Sequence, residues 1–288
     1  MDRVKNTSKH PIAALNCRGR LLYVEKPLVM GIMNVTPDSF YSGNSRNTVL
    51  EYVEQARAML DEGADILDIG GQSTRPGAER ISEEMEMERV LPVIRAIIDS
   101  IPDAVISIDT FYASVAEAAV KSGASMINDI SAGEIDPRMI PRAASLNVPY
   151  ILMHMKGSPE DMLQLAAYDD VVLEVMDFFI RKTDACRKAG IRDIILDPGF
   201  GFGKNSGHNF LLLSQLPVFS FMGFPILCGL SRKSTIYKTL GVDAALALNG
   251  TTVLNTIALI HGASILRVHD AREAKEAIQL LNAYDSAR

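Results

Sequence analysis

The chain has 288 residues, 48% hydrophobic and 22% charged, with a formal net charge of −6 at pH 7. This composition excludes a disordered chain and disfavours nucleic acid or an anionic membrane as partner, so an anionic ligand has to be held by a local group of cations. No run reaches the ~18 apolar residues of a membrane span, and the opening MDRVKNTSKHP lacks the apolar centre of a signal peptide. Cys17, Cys186 and Cys228 share no metal-like spacing and read as reduced thiols, which places the protein in the cytoplasm.

Residues 1–27 form a polar tail and then IAALNCRGRLLYVEKP, two apolar runs about a Gly-containing turn. That predicts a small hairpin, plugging or flanking the main domain. Residues 28–288 read as one domain, because no linker, low-complexity tract or charge block divides them. Short apolar runs recur along it: LVMGIMN (28–34), ADILDIGG (64–71), AVISIDT (104–110), SMINDIS (125–131), PYILMHM (149–155), DIILDPG (193–199), FPILCGLS (224–231) and SILRVHD (264–270). Between them the apolar residues take helical spacing, and helices are expected over 48–62, 83–99, 112–122, 137–146, 169–189, 209–216, 233–261 with a break near Gly241, and 271–284. Thr48 is placed to cap the first of these and Pro137 to open the fourth, while Gly63, Gly123, Gly190 and Gly262 mark helix ends. Asp270 and Glu273 have capping-box spacing.

Eight strand–helix units predict an α/β chain folded as a closed (β/α)8 barrel of the TIM type with a short N-terminal β-hairpin extension. The competing fold is a doubly wound open sheet, which should carry G-x-G-x-x-G after its first strand. Here the first turn is NVTPDSF, and distinctive residues are spread over nearly every strand end.

The stretch IILDPGFGFGK (194–204) carries the strongest local signal, a buried strand that stops at Asp197 and opens into a glycine-rich loop. Phe200 and Phe202 on that loop are filler or line a pocket for a flat ligand. A barrel would gather Asn34, Thr74, Arg75, Asp109, Asn128, Asp197, Lys233, Arg267 and His269 at its C-terminal face. Asp109, Asn128 and Asp197 suit a planar nitrogen heterocycle, with Lys233 donating to its carbonyl. Two carboxylates without partners under a sheet are costly, whereas Asn128 alone also reads as a satisfied structural group. Arg267 and His269 flank Val268, leave their strand on one face and form an anion site. Asn34 is adjacent and can offer an oxygen to Mg²⁺, although a lone Asn at a strand end is also a common turn residue. Ser231-Arg232-Lys233-Ser234 precedes a helix whose N-terminus favours a carboxylate. The loops TPDSFYSGN (36–44) and GGQSTRPGA (70–78), with Asp38 and Arg75 at their tips, resemble loops that close over a substrate. His154 and His208 read as structural, with a fringe role open for His154.

The ordered set MGIMNVTPDSF, DIGGQSTRPGA, SIDT, INDI, LMHMKG, LDPGFGFGKN, LSRKS and RVHD resembles the dihydropteroate synthase family over residues ~28–284. The resemblance implies condensation of 6-hydroxymethyl-7,8-dihydropterin diphosphate with 4-aminobenzoate, giving dihydropteroate and diphosphate. It implies pterin contacts from Asp109, Asn128, Asp197 and Lys233, and diphosphate contacts from Asn34 with Mg²⁺, Thr74, Arg267, Val268 and His269. It further implies that aminobenzoate lies against Phe40, Pro76 and Phe202 with its carboxylate near Ser234. Asp38, Arg75 and Lys233 are the implied catalytic residues, and a homodimer is the implied assembly. Gln72 stands where the family more often has Glu, and Met33 is a mild change. Two other readings are a methyltetrahydrofolate–corrinoid methyltransferase barrel and a non-catalytic pterin-binding barrel. A Schiff-base aldolase using Lys233 is weaker.

Overall fold

The computed structural model describes residues 13–36, 45–73, 77–162 and 164–287, and of 45–48 the backbone alone. An antiparallel hairpin comes first, β1 (Ala13–Cys17) against β2 (Arg20–Val24), in register from Ala13↔Val24 to Cys17↔Arg20. Its two-residue turn needs left-handed backbone at both positions, and Arg18 (φ 55) and Gly19 (φ 89) supply it.

Eight strands then form a parallel sheet: β3 (Leu28–Asn34), β4 (Ile66–Gly70), β5 (Ile106–Asp109), β6 (Met126–Asp129), β7 (Tyr150–Met153), β8 (Ile194–Asp197), β9 (Leu227–Cys228) and β10 (Ile265–Val268). Their order is β8-β7-β6-β5-β4-β3-β10-β9, and a parallel bridge between Leu196 and Ile226 closes β8 onto the chain leading into β9. The closed (β/α)8 barrel is therefore formed, not the open sheet.

Strand period two sorts the side chains into layers. Leu67, Ile106, Ile127, Leu152, Leu196, Cys228 and Leu266 face outward into the core shared with the helices. Met30, Ile66, Val105, Met126, Ile151, Ile195, Leu227 and Ile265 fill the lower barrel, where Leu15, Cys17 and Val24 of the hairpin pack against them. The hairpin thus plugs the barrel floor. Two residues further along five of the eight strands the interior turns polar, at Asp68, Ser107, Asn128, Asp197 and Arg267, and this second layer is the floor of the site.

The surrounding helices are α1 (Ser45–Asp61), α2 (Glu83–Ser100), α3 (Ala113–Ser122), α4 (Met139–Leu146), α5 (Val171–Ala189), α6 (Ser206–Ser214), α7 (Pro217–Ser220), α8 (Ser234–Leu240), α9 (Leu248–Ile260) and α10 (Ala271–Ser286). Several boundaries correct the sequence reading. Helix α1 starts at Ser45, so Thr48 lies inside it, and α4 starts at Met139, two residues after Pro137. The long segment after Lys233 divides at Gly241 into α8 and α9, with a 3₁₀ turn, Ala244–Leu246, between them. Asn205 caps α6 in a capping box with His208, which gives His208 its structural role. Asp270 makes no side-chain cap to α10; it binds the Arg232 guanidinium at 2.9 and 2.8 Å, a stronger charge-assisted pairing. The four helix-ending glycines carry the expected positive φ, between 99° and 127°. All three cysteines are free and buried, and among the described residues no helix is long and apolar enough to cross a membrane.

Candidate active site

Arg267 stands at the centre of the mouth. Its Nε donates to Asp68 Oδ2 and its Nη2 to Asp109 Oδ2, each at 2.6 Å, and Asn128 Nδ2 donates to the same Asp68 oxygen at 3.0 Å. The ladder register places these groups side by side: Asp68 faces Ser107, and Gly70, Asp109 and Asn128 lie level on β4, β5 and β6. Asp109 is 9% exposed and Asn128 2%, yet Asp109 Oδ1 and Asn128 Oδ1 are buried without a hydrogen-bond partner. Two orphaned acceptors on adjacent strands fit a ligand edge rich in N–H donors. Burial pushes the Asp109 carboxyl above the usual carboxylate range, with Asp68 adding to the push and Arg267 opposing it.

The opposite wall is the loop after β8. Asp197, 5% exposed, accepts from the Gly199 N–H at 2.8 Å. Burial raises its pKa, while Lys233 and that N–H pull the other way. The loop passes so close to the end of β7 that a Cβ on Gly199 would sit 1.9 Å from the His154 carbonyl, at φ 67, so only glycine fits. Lys204 is buried beneath the loop and donates to the carbonyls of His154 (3.2 Å), Gly199 (3.0 Å) and Phe202 (3.0 Å). Phe200 is core, whereas Phe202 joins Phe111, Met153 and Met155 in an apolar wall beside the polar set. The Lys233 ammonium lies 4.6 Å from the centre of the Phe202 ring and donates to the Phe200 carbonyl. Burial brings Lys233 down to about 8, with Asp197 holding it up.

The other proposed residues divide clearly. Asn34 ends β3 with an exposed side chain, and its carbonyl accepts from Tyr52 Oη at 3.3 Å. His269 is exposed next to Arg267, with Nδ1 2.9 Å from Ser231 Oγ. Val268 is fully buried with its side chain in the core shared with the helices, so its backbone is the part that could meet an anion. Ser234 opens α8 directly after Lys233. Asp38, Phe40, Thr74, Arg75 and Pro76 lie outside the described residues. His154 is 5% exposed and edge-on to Phe178, and burial drives its pKa down to about 2, so the ring is neutral.

Sequence reasoning missed Asp68 and Lys204. Asp68 was legible by period two, two residues before Gly70 on an apolar strand. Lys204 had no local signal beyond its place in the glycine loop.

Eight strand ends around one mouth, carboxylate and amide acceptors for a flat ring, and cations beside them define a barrel enzyme that takes a planar nitrogen heterocycle with an anionic arm. Residues 30–269 match the family described as pterin binding enzyme. The dihydropteroate synthases of Escherichia coli (strain K12) and Bacillus subtilis (strain 168) are 43% and 41% identical to it, over 95% and 91% of this chain and 97% and 90% of theirs. Among solved structures, dihydropteroate synthase of Xanthomonas albilineans with 4-aminobenzoic acid superposes with a TM-score of 0.89 at 42% identity, covering 95% of this chain and 98% of that one. The same organism's enzyme in complex with 7,8-dihydropteroate gives 0.86 at 39%, over 95% and 99%. The chain belongs to the dihydropteroate synthases.

Proposed function

We infer that this chain performs its family's reaction, joining 6-hydroxymethyl-7,8-dihydropterin diphosphate to 4-aminobenzoate with release of diphosphate. The observation that carries the reading is the pair of orphaned acceptors, Asp109 Oδ1 and Asn128 Oδ1, facing the Asp197–Lys233 wall across one barrel mouth. In this reading Asp109, Asn128 and Asp197 accept from the pterin's amino and ring N–H groups and Lys233 donates to its carbonyl. Arg267, whose Nη1 has no partner among the described residues, and His269 take the diphosphate. Negative charge grows on the leaving group as the C–O bond breaks, and the Arg267 charge with the His269 ring as hydrogen-bonding partner lowers that barrier. Positive charge spreads from the methylene into a ring held between Asp109 and Asp197. Asp38 and Arg75 complete the site from the loops, Thr74 joins the diphosphate contacts, and Phe40, Pro76, Phe202 and Ser234 receive the aminobenzoate. The arylamine then meets a nearly formed cation, so positioning replaces a strong base.

Asn34 fits a modest metal role. It offers one hard oxygen beside the anion site, and no group of three or more His, Cys, Asp or Glu among the described residues could hold a metal by itself. Mg²⁺ commonly takes one or two protein oxygens and completes its shell with substrate phosphates and water. Bound there it would neutralise charge on the departing diphosphate. A homodimer is supported by exposed apolar side chains on adjacent α9 and α10, Val253, Ile260, Leu280 and Tyr284, with Leu240 and Leu246 beside them in sequence. A cytoplasmic location is supported by the three reduced thiols.

The deciding experiment is dihydropteroate formation by the purified protein with and without Mg²⁺. Product formation that Asp197→Asn abolishes supports the reading; an inactive wild-type protein overturns it.

A further inference from the structure

Glu86, in the first turn of α2, is 1% exposed. Its Oε2 accepts from Thr110 Oγ1 at 3.1 Å, while Oε1 is buried without a hydrogen-bond partner. Capping does not explain it, because Ser82 Oγ already caps α2 through the Met85 N–H. A buried carboxyl half satisfied is costly and needs a reason.

Its neighbours supply one. Thr110 comes directly after Asp109, and its N–H donates to the Asn128 carbonyl at 3.0 Å, so Thr110 sits between the two strands that carry the pterin acceptors. On the other side Glu86 abuts the root of the second loop. A Cβ on Gly71 would lie 2.8 Å from Val90 Cγ1 and 3.0 Å from Glu86 Cγ, and Arg89 Nη1 donates to the Gly71 carbonyl at 2.8 Å. Tyr112 ties in the far root: its N–H donates to Thr110 Oγ1 at 3.2 Å and its hydroxyl to the Ile81 carbonyl at 2.8 Å. The Ile81 N–H in turn donates to Gln72 Oε1 at 3.2 Å. Both ends of the loop that carries Thr74, Arg75 and Pro76 therefore converge on Thr110.

We propose that Glu86 is a positioning residue for the reaction, coupling the roots of the second loop to Asp109 and Asn128 through Thr110. The proposal rests on the reading of Asp109 and Asn128 as pterin ligands. The charged and titratable groups facing Glu86 are Asp109 from β5, Glu83 and Arg89 from α2, and Tyr112 from the β5–α3 connection. Burial pushes Glu86 up to about 8, against its bond from Thr110, so the group is neutral at pH 7. Its ionisation above that value places a second negative charge behind Asp109 and loosens the coupling.

The test is steady-state kinetics of the intact protein from pH 6 to 9.5, comparing wild type with Glu86→Gln, Glu86→Ala and Thr110→Val. Gln keeps the acceptor without the charge, so at pH 7 its KM for the pterin diphosphate stays within about twofold of wild type. Glu86→Ala and Thr110→Val raise that KM roughly tenfold, with less change in kcat. Above pH 8 the wild-type KM rises more steeply than that of Glu86→Gln. An unchanged KM in Glu86→Ala, or superimposable pH profiles for wild type and Glu86→Gln, overturns the proposal. If Glu86→Ala does not fold, the KM of Thr110→Val decides. If wild type forms no dihydropteroate, the functional reading fails instead, and calorimetry with a pterin on the same variants judges the coupling.

Discussion

Asp68 and Arg267 meet inside the barrel at 2.6 Å, Oδ2 to Nε, with the carboxylate fully buried. The same oxygen holds Asn128 Nδ2, so one carboxylate orients both a proposed diphosphate ligand and a proposed pterin ligand. Removing one partner of a buried pair leaves an uncompensated charge and costs ~3–5 kcal/mol. Asp68→Ala should therefore lower the unfolding free energy by about 3 kcal/mol or more and raise KM for the pterin substrate. Denaturant unfolding and steady-state kinetics check both parts. A loss under about 1 kcal/mol with unchanged KM would remove Asp68 from the site.

The barrel was legible because eight apolar runs each ended in a distinctive residue, and because the helix-ending glycines recur a short distance before the strands. The layering was legible in principle. Counting by two from the apolar floor residues, Ile66 leads to Asp68, Met126 to Asn128, Ile195 to Asp197 and Ile265 to Arg267. What was hidden depends on contacts across the fold. The bond between Arg267 and its two carboxylates joins residues 199 and 158 positions apart, and no spacing rule reports it. Asp270 had capping-box spacing, but Arg232, 38 residues earlier, offered its carboxylate two charge-assisted bonds.

Those contacts change what Arg267→Ala should do. An arginine serving only the diphosphate would leave binding of a bare pterin untouched. Here its loss also strips Asp109 of a cation, and burial then drives that carboxyl further up, toward the protonated form that accepts fewer hydrogen bonds. Calorimetry should show weaker binding of both ligands, with the diphosphate ester losing more, by roughly 1.5–3 kcal/mol for the charge-assisted contact. Unaltered affinity for the bare pterin would mean that the Asp109 contact is incidental.

The pH dependence of kcat/KM should be narrow. Asp109 and Asp197 are both raised by burial, so they protonate as pH falls through values above the ordinary ~4, and ring acceptors are lost on the acid side. Lys233, brought down to about 8, loses its proton on the alkaline side. A bell results, its limbs belonging to the coupled cluster as a whole. Measured in a Glu86→Gln background, which removes the other ionisation of this range, Lys233→Arg should move the alkaline limb upward. An alkaline limb that stays near 8 in that double variant would place its origin elsewhere.

Lys204 offers the sharpest test of how the glycine loop is held. Its ammonium is 4% exposed and spends three N–H groups on the carbonyls of His154, Gly199 and Phe202, fastening the loop to the end of β7. Lys204→Met keeps most of the side-chain volume but takes the donor from all three carbonyls, of which Gly199 alone keeps another, the Phe202 N–H at 3.1 Å, and each carbonyl left buried and unpaired costs about 1–3 kcal/mol. A stability loss of about 3 kcal/mol is expected at pH 7. Because Phe202 rides on that loop and Asp197 stands at its root, bound by the Gly199 N–H, KM should rise for both substrates, and more for 4-aminobenzoate, which is read to lie against Phe202. The pH response separates this from a packing defect. Burial holds the Lys204 pKa well below its usual value, with Asp197 opposing. Between that lowered value and the ordinary lysine pKa of ~10.4, the unfolded chain binds more protons than the folded one, so this group makes stability rise with pH. Unfolding curves at pH 7 and 9 should therefore show the deficit of Lys204→Met widening at the higher pH. A deficit that is constant, or that shrinks, would show that the three-carbonyl clasp is not held by a lysine under this burial penalty.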